Sequence, residues 1–279
     1  MKRVSVAHVL AMAEGMAARD REIVRAVARL SVLSGAQIIE LCFWDIPEPQ
    51  TRARRARRVL GRLSEQRVLE RLERPRQGGA GGGSASWVYA LGPAGRRIVA
   101  YWSGEGLPRS RAAEEPGVGW TAHRLAVGDL YMQLRNAERQ GRVELLAFDG
   151  EPACWRRYTR LGGATGVLKP DAFVRLGVGE YEDSFFAEAD LGSERRGQLL
   201  RQHRAYAEYF RSGVEQANNG VFPAIVWIVS DRKRAALFED VARGLPRALR
   251  ALFTVTTADS ALEVFCGEAD ASHSTGAGS

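Results

Sequence analysis

Apolar residues recur at three- and four-residue intervals at the start of the chain. Ile23, Val24, Val27 and Leu30 fall on one face of a helix over 20–33, capped by Asp20. Ser34 caps a short second helix over 36–42, with Ile38, Ile39 and Leu41 as its apolar positions. Pro47 and Pro49 break that pattern. Thr51 caps a third helix, which runs through Gly61 to about Ser64. The period then shortens. Residues 68–72 and 87–91 read as two strands around a Gly-rich loop over 76–86, and Pro93 opens a further helix over 94–102.

Residues 104–119, with Pro108 and Pro116, read as a linker. Beyond it lies an amphipathic helix over 120–139, with Leu125, Val127, Leu130, Tyr131 and Leu134. Strands are expected over 143–148, 168–176 and 184–191. A helix capped by Ser193 runs to about Phe210. An apolar strand over 222–229, buried on both faces, follows. Ser230 or Asp231 caps a helix to about Gly244, and a strand over 252–257 closes the set. The order αβββαβαβ predicts an α/β domain with one mixed sheet. The expected organisation is a first domain over 1–103, the linker over 104–119, a second domain over 120–266, and a small polar tail over 267–279 that lacks the apolar residues of a packed core.

The chain has 279 residues, 45% of them hydrophobic and 26% charged, as in ordinary globular proteins. Its net charge of +7 is uneven. Residues 1–110 carry 19 Lys/Arg against 10 Asp/Glu, and the remainder 21 against 23. Such asymmetry points to a polyanion-binding half. All the basic residues except Lys2, Lys169 and Lys233 are arginine. A GC-rich coding bias explains that ratio but not the clustering. Cys42, Cys154 and Cys266 form no CxxC pair, so neither a zinc site nor a disulfide framework is indicated, and a reducing cytoplasm is the expected compartment. The basic and apolar start, interrupted by His8 and followed by Glu14 and Asp20, reads as a short amphipathic helix or a frayed terminus rather than a signal peptide. No run approaches the length of a membrane span.

Three helices followed by two strands is the order of a winged helix-turn-helix. The third helix carries Arg52, Arg54, Arg55, Arg57, Arg58 and Arg62. Arg54 and Arg58 stand one turn apart, and Arg55 and Arg62 two turns, so they can line an exposed face. Guanidinium groups reach phosphates and guanine edges, which makes these residues the candidate contacts to double-stranded DNA. The competing reading is a solvated basic helix in a protein-docking domain. Arg71, Arg74 and Arg76, beside the Gly-rich loop, are placed to touch the DNA backbone. That loop lacks the Lys-Ser/Thr of a phosphate-binding loop and reads as a wing tip.

The second domain carries Lys169-Pro170-Asp171 and Glu188-Ala189-Asp190 in or beside expected strands. Residues two apart on a strand share a face, so Glu188 and Asp190 point the same way. Neighbouring strands can set Asp171 beside Glu188, offering hard oxygen ligands to Mg²⁺ or Mn²⁺. The spacing resembles the PD-(D/E)xK nuclease motif, with Asp190 at the position of the motif lysine. The winged helix joined to this domain resembles the replication-relaxation family of bacterial plasmids and mobile elements. Thr121-Ala122-His123-Arg124-Leu125-Ala126-Val127, Asp129, Leu168-Lys169-Pro170-Asp171-Ala172, Phe185-Phe186-Ala187-Glu188-Ala189-Asp190 and Arg204-Ala205-Tyr206 carry that resemblance. It implies a restriction-endonuclease-like fold and a DNA-associated role in replication or relaxation.

Cleavage needs carboxylates on a metal and a cation near the reacting phosphate. Asp171 and Glu188 supply the first; Asp190 cannot supply the second, though it can add a third metal ligand. Lys169, Arg201 or His203 could take the cation's place, and Asp129 and His123 could approach. The competing reading is that Arg195, Arg196, Arg201 or Arg204 holds these acids in a degenerate, non-cleaving domain. The expected function is therefore a DNA-binding protein of plasmid or mobile-element replication, relaxation or its control. The alternatives are a Mg²⁺-dependent nicking nuclease and a transcription regulator. Homodimers and replication or mobilisation proteins are the expected protein partners.

Overall fold

The computed structural model describes residues 5–72, 87–104, 117–192, 195–245 and 247–267. The Gly-rich loop, Arg74, Arg76, Ser193, most of the expected linker and the tail from residue 268 lie outside the described residues. The protein is mixed α/β and divides into two compact units, Met1–Met132 and Gln133–Ser279. The division falls inside a helix rather than at 104–119. The cause is local, because that helix begins by packing on the first unit.

The first unit opens with α1 (Val6–Glu14), whose cap Ser5 accepts the His8 N–H through its Oγ. α2 (Ala18–Leu30) buries Ile23, Val24, Val27 and Leu30, as the periodicity predicts. It ends three residues early because Ser31 takes φ +68°. Asp20 is not its cap. It sits in the first turn and is buried. β1 (Val32–Ser34) leads into α3 (Gly35–Cys42) through a capping box of Ser34 and Gln37. α4 (Pro49–Glu65) is capped by Glu48 instead of Thr51. The Glu48 carboxylate accepts the Gln50 N–H at 2.9 Å and the Thr51 N–H, and Pro49 provides the preset φ of a first helical residue.

β2 (Leu69–Leu72) and β3 (Val88–Leu91) pair antiparallel, and β1 joins the other edge of β3, giving the order β1-β3-β2. The register sets Val88 opposite both Ser34 and Leu72. α5 (Pro93–Trp102) follows, and then α6 (Val118–Arg139). Gln37 of α3 donates from Nε2 to the Leu125 carbonyl at 2.8 Å and to Asp129 Oδ1 at 2.7 Å. Gly128 makes this approach possible, since a Cβ there would lie 2.9 Å from Gln37 Nε2.

The second unit holds β4 (Glu144–Gly150), β5 (Arg156–Thr159), β6 (Thr165–Leu168), β7 (Ala172–Val178), β8 (Tyr181–Asp190), α7 (Arg196–Ser212), α8 (Val214–Asn219), β9 (Ala224–Val229), α9 (Arg232–Ala242), α10 (Arg247–Arg250), β10 (Phe253–Thr257) and α11 (Ala261–Phe265). The main sheet has the order β10-β9-β8-β7-β4. β4, β7 and β8 run antiparallel; β8, β9 and β10 run parallel. The expected mixed sheet is therefore present.

The expected strand over 168–176 is essentially β7; its first residue, Leu168, is the last of β6, which lies in another sheet. β6 pairs with β5 in a hairpin, and β7 joins the main sheet. Pro170 causes the break, because it has no N–H for a ladder. Asp231 caps α9 through the Arg234 N–H at 2.8 Å, as expected. Phe186, Trp227, Tyr206, Tyr209 and Phe238 fill the core between the sheet and its helices.

Candidate functional site

The register brings two of the expected acids together. Ala172 of β7 pairs with Ala187 of β8, so Asp171 stands one step past the ladder, level with Glu188. Asp171 Oδ2 accepts the Ala189 N–H at 2.8 Å. Its side chain thus satisfies a strand amide beyond the end of β7. Glu188 Oε1 accepts the Tyr206 hydroxyl of α7 at 2.5 Å. Both oxygens of Asp190 are held by Arg234 of α9, the Nη2–Oδ1 distance being 3.0 Å. Asp171, Glu188 and Asp190 are 8%, 4% and 3% exposed.

Glu188 and Asp190 therefore face the α7–α9 layer. Phe186, on the same face of β8, packs its ring against Tyr206 and Tyr209. Cys154 lies close by and donates from Sγ to the Pro170 carbonyl at 2.9 Å. Burial, followed by the charges of Asp171 and Glu188, pushes its thiol up to about 12. Burial, and then Glu188, also holds the Tyr206 hydroxyl well above its ordinary range, so it stays a hydrogen-bond donor.

The other expected participants go elsewhere. Lys169 is exposed, with its Nζ 4.3 Å from the centroid of the Trp155 ring. His203 is stacked between Trp227 and Phe253 and bonds the Leu199 carbonyl through Nδ1. Burial lowers its pKa, which favours the neutral ring. Arg196 pairs with Asp240 at 2.5 Å, and Arg201 is exposed on α7. Asp129, bonded to Gln37, and His123 belong to the first unit. The guanidinium on Asp190 comes from Arg234, a residue the sequence reading did not single out. Its signal was the acid in the lysine position, which requires a buried cation from some other element.

Among the described residues no group of three or more His, Cys, Asp or Glu side chains is placed to hold a metal ion. As arranged, the expected Asp171–Glu188–Asp190 donor set does not fit Mg²⁺ or Mn²⁺. One carboxylate is neutralised by a guanidinium, and one oxygen on each of the others is taken by a protein donor.

A second cluster lies on α4. Arg54, Arg55, Arg57 and Arg58 are exposed. Among the described residues none of the four has an acidic partner within ion-pair distance. Arg52 is instead turned back, with its Nε on the Ile46 carbonyl at 2.8 Å and a guanidinium nitrogen 3.9 Å from Glu40. Arg62 bonds the buried Asp20 at 2.8 Å. The two ends of the expected arginine row thus anchor the helix, and its middle faces outward.

A family model described as replication-relaxation matches residues 24–225. The chain belongs to the replication-relaxation family. The match spans α2 to β9 and so includes both the α4 arginines and the three acids; Arg234 lies beyond it. No curated protein and no solved structure matches the chain. Membership in the replication-relaxation family associates the chain with replication or relaxation. Among the described residues no helix is long and apolar enough to cross a membrane.

Proposed function

We propose that this chain binds double-stranded DNA through α4 and serves plasmid or mobile-element replication, relaxation or the control of either. In this reading the first unit is a winged helix with α4 as its DNA-contacting helix. The second unit is a restriction-endonuclease-like domain that docks or dimerises and does not cleave. The observation that carries the reading is the outward row Arg54, Arg55, Arg57 and Arg58 on α4. Four exposed guanidinium groups with no acidic side chain at ion-pair distance among the described residues favour a polyanion over water, because binding releases its condensed counterions. The order β1-β3-β2, with α2, α3 and α4 before β2, supports the winged-helix part. The Arg234–Asp190 pair supports the non-cleaving part, since it places a neutral pair where cleavage would need a free cation.

The test joins a gel shift to a plasmid assay. Wild type should bind duplex DNA with a steep salt dependence. Arg54→Ala/Arg58→Ala should flatten the log–log slope by about two. Supercoiled plasmid should keep its topology with Mg²⁺, with Mn²⁺ and with EDTA. An unchanged slope in the double variant would remove α4 from the interface. Metal-dependent nicking that disappears in Glu188→Ala would overturn the non-cleaving domain and restore the nuclease alternative.

A further inference from the structure

We infer that Arg71 and Trp87 form a second phosphate-contact point beside α4, with the Trp87 ring holding the Arg71 guanidinium toward the DNA backbone. The inference rests on the DNA-binding reading of α4.

Arg71 lies on β2 and Trp87 directly precedes β3, at the base of the segment joining the two strands. The Arg71 Cζ stands 5.8 Å from the Trp87 ring centroid. Both residues are exposed, Trp87 to 50%. A guanidinium set over the face of an exposed aromatic ring is restrained at the surface by the ring's attraction for a cation. The backbone that carries the ring is anchored on both sides. The Trp87 carbonyl accepts the Gly35 N–H at 2.8 Å, and the adjoining Val88 is locked between Ser34 and Leu72.

The guanidinium also belongs to the α4 surface. A Cβ built on Gly61 would lie 3.9 Å from Arg71 Nη2. Gly61 is seven residues beyond Arg54 and three beyond Arg58, so the three share one stripe of the helix. Arg71 therefore continues the Arg54–Arg58 row from a different element. Among the described residues it has no acidic partner within ion-pair distance. A planar cation resting on a ring restrains its rotamers and so has less entropy to lose on binding. Contacts of this kind go to phosphate, so they position the protein and carry no sequence information.

The two residues differ in charge, and this separates their effects. Arg71→Ala should weaken binding to every duplex by a similar factor, on the order of tenfold. It should also flatten the salt slope by about one. Trp87→Ala removes no charge. It should weaken binding roughly two- to fivefold with the wild-type slope, and Trp87→Phe should restore most of the loss. Near-ultraviolet and far-ultraviolet circular dichroism would check that each variant is folded. If Arg54→Ala/Arg58→Ala weakens binding while Arg71→Ala leaves affinity and slope unchanged, the second contact point is wrong and the α4 reading stands. If Trp87→Ala binds as wild type, or if Trp87→Phe fails to restore binding, the ring has no positioning role. If wild type does not bind DNA, both readings fall together.

Discussion

The Tyr206 hydroxyl donates to Glu188 Oε1 at 2.5 Å, joining α7 to the central strand of the second unit across its core. A carboxylate in that position would be open to a substrate only if α7 stood away from the sheet. Its partner on the same strand face, Asp190, is covered in the same way by α9. The acids that resemble a nuclease motif thus serve as fastening points between the sheet and the two helices.

Tyr206→Phe keeps the ring and removes that donor. The variant should lose about 1–3 kcal/mol of stability, the usual cost of leaving a buried acceptor short of a bond. Urea denaturation measures it. A midpoint equal to wild type would mean that Glu188 draws enough from its other contacts.

Arg234→Met leaves the Asp190 side chain, 0% exposed, without its cation. The expected loss is about 3–5 kcal/mol. Replacing the pair together, Asp190→Leu/Arg234→Met, should recover most of it, because a packed apolar pair avoids the desolvation of two charges. A double variant no more stable than Arg234→Met would show that the pair does not behave as a unit.

Arg62 should separate from its neighbours on α4. Arg62→Ala uncovers the buried Asp20 carboxylate and should cost about 1–3 kcal/mol of stability, while leaving the salt slope of DNA binding unchanged. Arg54→Ala should show the reverse pattern, with wild-type stability and a flatter slope. Thermal melts and salt titrations on the same two preparations decide between the patterns.

His203 predicts an acid limb. Burial lowers its folded pKa below the ordinary 6.5. The unfolded chain therefore takes the proton first. The stability of the neutral ring is fully present above about pH 6.5 and is lost as pH falls below it, by up to about 1.4 kcal/mol per pH unit. His203→Phe keeps the stack on Trp227 and Phe253 without a titrating group. Its urea midpoint should fall less than that of wild type between about pH 7 and about pH 5. Parallel falls would assign the acid limb to other groups.

Gly61→Ala should stabilise the first unit by about 0.5–1 kcal/mol, the ordinary helix-interior preference. The added Cβ meets only Arg71 Nη2, at an ordinary contact distance of 3.9 Å. A lower melting temperature would mean that the helix cannot hold Arg71 and a side chain together.

Periodicity found the elements of both units that depend on one continuous apolar face. α2, α3, α4 and α5, and β8, β9 and β10, lie within a few residues of their expected bounds. The missed elements have other origins. The β5–β6 hairpin turns on Gly162 and Gly163 at φ +100° and +87°, and only its last residue, Leu168, falls inside the strand expected over 168–176. α8, α10 and α11 have six, four and five residues, too short for a period to register. The two caps assigned by residue type alone, Asp20 and Thr51, were displaced by chemistry from further away. Asp20 pairs with Arg62, and Glu48 reaches both free amides of α4. In the candidate site the strand spacing gave the level position of Asp171 and Glu188. It could not give Arg234, which lies 44 residues beyond Asp190 and meets it only because β8 and β9 are parallel neighbours.

That separation also limits how the chain can change. A lysine at position 190 would face the Arg234 guanidinium, setting cation against cation in a site closed to water. Removing Arg234 first would strand the Asp190 carboxylate. Each single step toward the motif lysine therefore passes through a weakened protein, while the present pair is held by both of its members. The Asp190–Arg234 contact acts as a latch: with both residues in place, acquiring a lysine at position 190 requires two coordinated substitutions instead of one.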